Sequence, residues 1–435
     1  MFTKIRHRRM QKYVARYFKK YPDIKLVVVT GSIGKTQAKI SIATVLSKRF
    51  RVRLFHGNRG TNFSVPLAVL GIDYPGDIKS GKAWRQVFKA ARERIKQPQD
   101  ADVIVLELNA THLGSMLEYA EYLRPDISVI TAISESNTEV FGSIDFVAQE
   151  QLSIDVISRE LLVGRDDIDG RFATYLSNPR MNTYGLEGVA EYRFEEADYS
   201  IDKGYTGNLI VPGWEQTIPV SIDSHDNFSL RQAVAAAAVA VKLGMSPQEI
   251  AAGIGDIKPL AGRMKRLNGV DDSIILDDTS NTSPLGVKTA LQSLYRIQAP
   301  QSVAVISSMK KLGSYSQSAH QEIGMLCDPT QLAWVVTVDD EANRWLAPAA
   351  RGRGCQVKEC RDALEAGAFV HSIIEKGSVV LFNGHEEIFL EEAVKVILRS
   401  AADGDELVRQ SPEYLHKKAE VFSRFQSEPE SARKK

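Results

Sequence analysis

The clearest hydrophobic pattern in the chain is a short apolar run that leads through two glycines into a helix. Residues 26–29 read Leu-Val-Val-Val, which has the length and composition of a buried strand. Glycines follow at positions 31 and 34, and apolar residues then recur at helical spacing from residue 40 to residue 46. A strand, turn and helix in this order point backbone N–H groups and the helix dipole at one spot, which suits a phosphate. The pattern predicts a phosphate-binding turn, and the alternative is a plain turn between a strand and a helix.

The side chains of this turn favour a nucleotide. The turn consists of Gly31, Ser32, Ile33, Gly34, Lys35 and Thr36. Its G-x-x-G-K-T spacing is a short form of the usual nucleotide loop, because the glycine that opens the longer form would fall at Val29. Lys35 would bring positive charge to the outer phosphates of ATP, and the hydroxyl of Thr36 would be a ligand for Mg²⁺.

Strand and helix patterns alternate from residue 25 to residue 160. We predict strands at 51–55, 102–108 and 127–131, and helices near 113–123 and 146–156. This alternation predicts a mostly parallel sheet with helices on both faces, and ligands of such sheets lie beyond the carboxyl ends of the strands. Thr30, Glu107 and Thr131 are expected at those ends. Glu107 would be a second magnesium ligand, and the alternative is a solvated acid at the end of a strand.

The rest of the chain predicts a second α/β series after an irregular stretch. Residues 160–225 show short alternating segments that suggest antiparallel strands, and an alanine-rich helix follows at 232–243. Residues 259–262 are expected to be a hinge. The predicted fold class is α/β, with a central P-loop-type, mostly parallel sheet domain and a C-terminal Rossmann-like α/β domain. The predicted domains are a basic segment 1–24, a central ATP-binding domain 25–258, a C-terminal domain 259–405 and a charged helical tail 406–435.

The first 22 residues form a basic segment with eight lysines and arginines and no acid before Asp23. Apolar and aromatic residues recur within it at helical spacing from Met10 to Tyr21. A basic amphipathic helix of this kind can lie on an anionic membrane. It can equally pack its aromatic face on its own domain while the charges stay in solvent, and both interpretations are open. Nucleic-acid binding comes third, because nothing else in the chain supports it.

Composition excludes several classes of protein. The formal charge of +1 gives the whole chain no field of the kind that binds nucleic acid. The three cysteines, Cys327, Cys355 and Cys360, form no close pair, so we expect reduced thiols in a cytoplasmic protein, with peripheral membrane contact as an open addition. No apolar run has the length of a membrane span, and no signal peptide is expected.

Taken together, the motifs resemble those of the Mur ligases, the ATP-dependent amide-bond ligases of peptidoglycan synthesis, and most of all the branch that adds D-alanyl-D-alanine. Each motif alone is modest, but their order along nearly the whole chain is specific. The matching segments are VTGSIGKT (29–36), GNRGTNFSVPLAVL (57–70), LELNATHLGSM (106–116), RPDISVITAI (124–133), FGSIDFVA (141–148), LAGRMKRL (260–267), ILDDTSNTSP (275–284) and MKKLGSYSQSAH (309–320).

The resemblance implies a mechanism and a set of site residues. ATP would phosphorylate a carboxylate of a muramyl-peptide-like substrate, and an amino acid or dipeptide amine would attack the acyl phosphate to form an amide. Residues 31–36 would hold the phosphates, with Thr36 and Glu107 at Mg²⁺. Catalytic roles fall to Lys35, Glu107 and His320. Nucleotide contacts in the C-terminal domain fall to Arg263, Asp278 and Asn281. The protein is expected to be a monomer that binds no nucleic acid.

This chain departs from the family at several positions, and most of them are positions at which the family binds metal or substrate. Where the family has a metal-binding histidine, this chain has Asn137, and where the family has a carbamylated lysine, it has Gln151. Lys311 and Asn383 also replace residues that the family has at those positions. Its separate UDP-binding domain before the phosphate loop is expected to be absent. The leading hypothesis is a peptide ligase of the Mur type. The alternatives are an ATP-binding paralogue with weakened or lost activity, which would serve as a regulator or scaffold, and a ligase with a different acceptor.

Overall fold

The fold consists of two compact α/β units in a computed structural model that describes residues 2–55, 63–135 and 138–427. The first unit comprises residues 1–223 and 228–258, and the second comprises 224–227 and 259–435. Both are built on large sheets dominated by parallel strands, which confirms the predicted fold class. The predicted domain bounds stay predictions. Within the described residues, no helix combines the length and the apolar character needed to cross a lipid bilayer.

Within its described residues, the first unit has nine strands in one sheet, in the order β2-β3-β1-β4-β5-β6-β7-β8-β9. The pairings from β2 to β7 are parallel, and only β7–β8 and β8–β9 are antiparallel. The strands are β1 Lys25–Thr30, β2 Val52–Leu54, β3 Val103–Glu107, β4 Ile127–Ile130, β5 Glu160–Gly164, β6 Met181–Gly185, β7 Tyr192–Ser200, β8 Gly204–Ile210 and β9 Ile218–Ile222.

Helices cover both faces of this sheet, because its central strands are apolar on both sides. One face packs against α1, α3, α4, α5 and α7, and the other packs against α2, α8 and α9. The helices are α1 Phe2–Lys20, α2 Lys35–Leu46, α3 Ser64–Leu70, α4 Gly81–Lys96, α5 Ser115–Tyr119, α6 Thr138–Phe141, α7 Ile144–Leu152, α8 Asn227–Lys242 and α9 Pro247–Gly255.

The stretch 160–225 contains the antiparallel strands that the sequence predicts, as β7, β8 and β9. Two further strands that the sequence did not predict, β5 and β6, extend the parallel sheet before the antiparallel strands begin. The run Leu161–Val163 is buried on both faces, so it lacks the alternation that marks a half-solvated strand. Helix α4, which no segment of the sequence prediction included, adds a long amphipathic element to the face that also holds α1.

Helix α1 packs its aromatic face into the core of its own unit. Met10, Val14 and Tyr17 have no exposed side-chain surface, and Tyr13 is 5% exposed. Of the two open interpretations, packing on the domain is therefore the one that the structure shows for the apolar side of this helix. The basic side chains on its opposite side remain exposed.

As far as the structure describes it, to residue 427, the second unit has a six-stranded sheet in the order β10-β11-β15-β12-β13-β14, in which only the β10–β11 pair is antiparallel. Its strands are β10 Lys265–Asn268, β11 Ile274–Asp278, β12 Ser302–Ser307, β13 Trp334–Val338, β14 Val357–Cys360 and β15 Val379–Asn383. Its helices are α10 Pro284–Tyr295, α11 Ser316–Leu326, α12 Ala347–Gly352, α13 Ala363–Ile373, α14 Glu391–Ile397 and α15 Pro412–Ser427.

Candidate functional site

The phosphate loop of the first unit requires its two glycines. Gly31 and Gly34 have φ angles of 131° and 78°, which side chains rarely adopt. A Cβ atom on Gly31 would come within 2.3 Å of the Thr131 hydroxyl, and one on Gly34 within 2.4 Å of the Phe228 ring. The loop therefore lies against its neighbours as closely as a backbone without side chains permits.

Helix α7 and the residues that follow strand β4 hold the phosphate loop in place. The N–H of Gly31 donates to Oε1 of Gln151 on α7 at 3.0 Å, and the hydroxyl of Thr30 donates to the same oxygen. The N–H of Ser32 donates to the Ala132 carbonyl at 2.8 Å. At the end of β4, the Thr131 hydroxyl donates to the Ile33 carbonyl at 2.5 Å. These contacts hold the loop in one shape at the carboxyl ends of β1 and β4.

The start of helix α2 is open to an anion. Its N-cap is Gly34, and no side chain in the described part of the chain caps its first N–H groups. Uncapped N–H groups at the N-terminus of a helix, with the helix dipole, form a phosphate site. Nζ of Lys35 lies over the same loop, 2.7 Å from the Gly31 carbonyl and 3.3 Å from that of Ser32. The predicted residues 31–36 thus converge on one place.

Glu107 and Thr36 meet beside the loop, as their positions at the end of β3 and the start of α2 predict. The Thr36 hydroxyl donates to Oε2 of Glu107 at 2.9 Å. Lys39, one turn along α2, places Nζ 3.6 Å from the same oxygen and donates to the Phe55 carbonyl at 3.2 Å. The side chains of Lys39 and Glu107 are 5% and 9% exposed. Lys39 was missed at the sequence level, although its i+3 spacing from Thr36 on one helix face was available.

The residues at this place fit Mg²⁺ bound together with a nucleotide. Mg²⁺ is commonly held by one or two carboxylates together with substrate phosphates and water. Glu107 and the Thr36 hydroxyl supply such a minimal set, and among the described residues no cluster of three His, Cys, Asp or Glu side chains could hold a metal. Gln151 accepts two hydrogen bonds from the loop through its oxygen, and Asn137 lies outside the described residues.

A buried amide under the loop also fits a ligand. Gln232 on α8 has no exposed surface, and neither its Oε1 nor its Nε2 has a hydrogen-bond partner among the residues that the structure describes. Nε2 lies 3.3 Å from the position that a Cβ atom of Gly34 would occupy. Buried polar groups are nearly always paired, so an unpaired amide at this loop is suited to a polar ligand group.

In the second unit, the predicted nucleotide residues gather at the end of β11. Asp278 pairs in register with Asn383 at the end of β15, and Nδ2 of Asn383 donates to Oδ2 of Asp278 at 2.6 Å. Burial raises the pKa of Asp278 to about 7, against the opposing effect of the Arg263 guanidinium. Arg263 is half-buried, and Asn281 is exposed with its Oδ1 accepting the N–H of Thr282 at 3.0 Å.

His320 lies away from solvent and holds its own segment together. Its Nε2 accepts the N–H of Met309 at 2.9 Å, and its Nδ1 lies 2.7 Å from the Ser316 carbonyl, to which it donates. Burial lowers the pKa of the ring, which favours the neutral form. This geometry gives His320 a structural role in the 309–320 segment, and its catalytic role stays a prediction. Lys311 pairs with Glu386 at 3.3 Å on the surface.

An arginine far along the chain clamps the segment that carries Asp278 and Asn281. Arg409 donates to the Thr279 carbonyl at 2.6 Å and to the Ser280 carbonyl at 3.0 Å. The same guanidinium pairs with Glu391, which has no exposed surface and is also 2.8 Å from Nζ of Lys418. Nothing in the local sequence indicates this contact, because it joins residues 130 positions apart.

Two family models match the chain. One describes the Mur ligase middle domain and matches residues 29–240, and the other describes the Mur ligase glutamate ligase domain and matches residues 262–385. Together they span both compact units and include every site residue that the sequence predicted.

Curated relatives and solved structures agree with these models. The chain is 25% identical over 389 residues to the UDP-N-acetylmuramoyl-tripeptide–D-alanyl-D-alanine ligase of Bacillus subtilis, covering 86% of this chain and 76% of the relative. It is 24% identical to the ligase of the same name from Synechocystis, covering 89% and 77%. In fold it is similar to MurF from Acinetobacter baumannii (TM-score 0.73, 19% identity, covering 88% and 79%). It is also similar to MurF from Thermotoga maritima in complex with ADP (TM-score 0.70, 20% identity, covering 89% and 83%). The chain belongs to the Mur ligase family.

Proposed function

We propose that this protein is an ATP-dependent carboxylate–amine ligase of peptidoglycan precursor synthesis. Its donor would be a muramyl-peptide-like carboxylate and its acceptor an amine of the D-alanyl-D-alanine type. The observation that carries the proposal is the contact of Thr36 with Glu107 directly beside an uncapped G-x-x-G-K-T loop. The names of the curated relatives support the same substrates.

The reaction needs a site that stabilises a moving phosphoryl group. A carboxylate oxygen of the donor attacks the γ-phosphorus of ATP, and ADP leaves. The amine then attacks the acyl carbon, inorganic phosphate leaves, and the nitrogen loses a proton. Lys35 and the N–H groups at the start of α2 would neutralise charge on the phosphoryl oxygens in the first step. Mg²⁺, when bound at Thr36 and Glu107, would supply further charge neutralisation.

The remaining contacts hold the phosphate loop in the first unit and position the proposed nucleotide contacts in the second. In the first unit, Gln151, Ser32 and Thr131 keep the loop in the shape that presents its N–H groups. In the second unit, we propose Arg263, Asp278 and Asn281 as nucleotide contacts. Asn383 orients Asp278 through its amide. We further propose that the protein acts as a cytoplasmic monomer.

The test measures phosphate release from ATP and Mg²⁺ with a muramyl tripeptide and D-alanyl-D-alanine. We expect release that depends on both substrates and that falls by at least about 100-fold in Lys35→Ala, the order of effect of losing a group that stabilises transition-state charge. Lys48→Ala is the matched control, because Lys48 follows the end of α2 and pairs with Asp256 on the surface. ATP binding without substrate-dependent turnover would overturn the proposal and favour a regulatory paralogue.

A further inference from the structure

We propose that the outer surface of helices α1 and α4 binds an anionic lipid membrane by charge alone. The two helices lie side by side in the same direction. At their first turns, Arg6 donates to the Ile78 carbonyl at 3.0 Å, just before α4, and its guanidinium lies 5.6 Å from the Trp84 ring centre. At their last turns, Lys20 donates to the Ile95 carbonyl at 2.6 Å. The pair therefore presents one continuous outer surface.

Basic side chains occupy that surface along both helices. The exposed cations of α1 recur every three or four residues, opposite its buried aromatic face, and those of α4 do the same. Between them, Arg9 of α1 lies over the ring of Phe88 on α4 at 4.3 Å, which joins the two rows. The exposed cations are Lys4, Arg8, Arg9, Lys12, Arg16, Lys19 and Lys20 on α1, and Lys82, Arg85, Lys89, Arg92 and Lys96 on α4.

The charge of this surface is unbalanced within the molecule. Helix α1 has a formal charge of +8 and α4 of +5, whereas the whole chain has +1, so the remaining residues carry −12. Helix α1 contains no acid, and the one acid of α4, Glu93, pairs with Lys96 at 3.2 Å. A molecule with its positive charge on one side orients that side toward an anionic surface before contact.

The form of this surface favours lipid over nucleic acid. Side chains that could stack on bases are turned inward, since Tyr13, Tyr17, Trp84 and Phe88 are all buried. What remains outside is a broad array of flexible lysines and arginines on two adjacent helices. Such an array suits many lipid headgroups at once, each cation near the surface adding about 1 kcal/mol, or about a fivefold gain. The buried apolar face excludes the insertion mode that an isolated amphipathic helix would use.

The position of the surface relates it to the phosphate loop. Helix α1 precedes β1 and α4 precedes β3 through connections of a few residues, so each helix runs antiparallel to its strand. Their N-terminal ends therefore lie toward the edge of the sheet where the carboxyl ends of β1 and β3 carry the loop and Glu107. A membrane bound along this surface would lie beside that edge.

The experiment measures binding of the full chain to vesicles of phosphatidylcholine with or without about a third phosphatidylglycerol, by co-sedimentation. The test variant is Lys12→Glu/Arg16→Glu/Lys89→Glu, whose three side chains make no hydrogen bond or ion pair within the described residues. The control is Arg165→Glu/Arg180→Glu/Lys203→Glu, which changes the net charge equally at exposed positions elsewhere in the first unit.

We expect the unaltered chain to bind only the anionic vesicles, and to be released as salt screens the contact. The test variant should bind at least about 100-fold more weakly, from about fivefold for each cation, and the control should bind like the unaltered chain. Absence of binding to anionic vesicles, or equal loss in both variants, would overturn the proposal. Tighter binding of the chain to duplex RNA than to the anionic vesicles at the same salt concentration would also overturn it, and would favour nucleic acid. None of these readouts depends on ligase activity.

Discussion

Oε1 of Gln151 lies 3.0 Å from the backbone nitrogen of Gly31, which makes a side chain of α7 part of the phosphate loop. The N–H of Gly31 can only donate, so this contact fixes the amide with its oxygen toward the loop. Gln151 is 5% exposed, and its oxygen also accepts the hydroxyl of Thr30. A glutamine at this position therefore has a defined task, although it cannot carry the carbamate that the family has there.

Gln151→Leu should destabilise the first unit by about 1–3 kcal/mol, because it leaves the N–H of Gly31 and a buried hydroxyl without an acceptor. Gln151→Glu keeps the acceptor oxygen and should lose less. Urea unfolding measures both. Gln149→Leu on the same helix is the control, since Gln149 is exposed and should change stability by less than about 0.5 kcal/mol. Equal effects at both positions would show that the loop contact contributes nothing.

Gln151→Lys tests the same contact through its chemistry. A lysine offers only donors to the N–H of Gly31, so this variant should unfold at a lower temperature than the unaltered chain. A carbamate on the lysine would restore acceptor oxygens, and bicarbonate should therefore recover part of the lost stability. Thermal unfolding with and without bicarbonate measures this. If bicarbonate changes the unaltered chain as much as the variant, the interpretation is wrong.

Lys39→Met should cost about 3 kcal/mol of stability, because it leaves the Glu107 carboxylate without its nearby cation at a site where both side chains are less than 10% exposed. Lys39→Arg retains the charge and should cost less. Lys48→Met is the control on the same segment, since the pair of Lys48 with Asp256 is largely exposed and should contribute under about 1 kcal/mol. Chemical denaturation compares the three variants, and similar values for Met at both positions would contradict the buried pair.

Asp278→Asn should stabilise the second unit more as the pH rises. The unfolded chain ionises this carboxyl near pH 4, whereas burial raises its pKa to about 7 in the fold. The folded state therefore holds an extra proton between these values, and stability falls as pH rises through this window. Because asparagine does not ionise, the variant avoids this loss of folding stability, which reaches about 4 kcal/mol above pH 7. Its side-chain oxygen can still accept the hydrogen bond from the amide of Asn383. Denaturation at about pH 5 and about pH 8 measures the difference, which should be larger at the higher pH. A difference that is constant with pH would refute this.

Arg409→Ala should raise the KM for ATP several-fold and destabilise the second unit by about 3 kcal/mol, because two backbone carbonyls and the buried Glu391 lose a charged donor. Arg409→Lys keeps the positive charge but lacks the forked set of donors of a guanidinium. This variant should therefore come closer to the unaltered chain in stability than in its KM for ATP. Steady-state kinetics and urea unfolding separate the two effects. Arg399→Ala removes an exposed pair with Asp272 and a hydrogen bond to the Gly269 carbonyl, so it should leave KM unchanged and destabilise the second unit by about 1 kcal/mol at most.

The phosphate loop and Glu107 were predictable because their sequence signals are local. An apolar run, two glycines and a helix pattern lie within about twenty residues, and Glu107 follows directly from its place at the end of a buried run. The order of the motifs along the chain made the resemblance to the Mur ligases recognisable. Helix α4 also has a local signal, since Trp84, Val87, Phe88 and Ala91 are spaced for one helix face.

The contacts that position these residues could not be found in the same way. Gln151 and Gly31 are 120 residues apart, and the clamp of Arg409 on Thr279 joins residues 130 apart. Such pairs are set by which strands and helices become neighbours, and no short pattern encodes that. The same holds for the buried face of α1, since its spacing fits a membrane and a protein core equally well.

The clamp of Arg409 also has a consequence for the order of events during synthesis. The loop around Gly31 can take its shape once the chain has passed Gln151 and the start of α8, which lies against Gly34. The segment of Asp278 must wait until Arg409 and Lys418 have left the ribosome, because they complete the contacts around Glu391. A nascent chain would therefore have a finished phosphate loop long before its second unit matures. Ribosome-bound chains that stop before residue 409 should expose the 279–280 backbone to proteases.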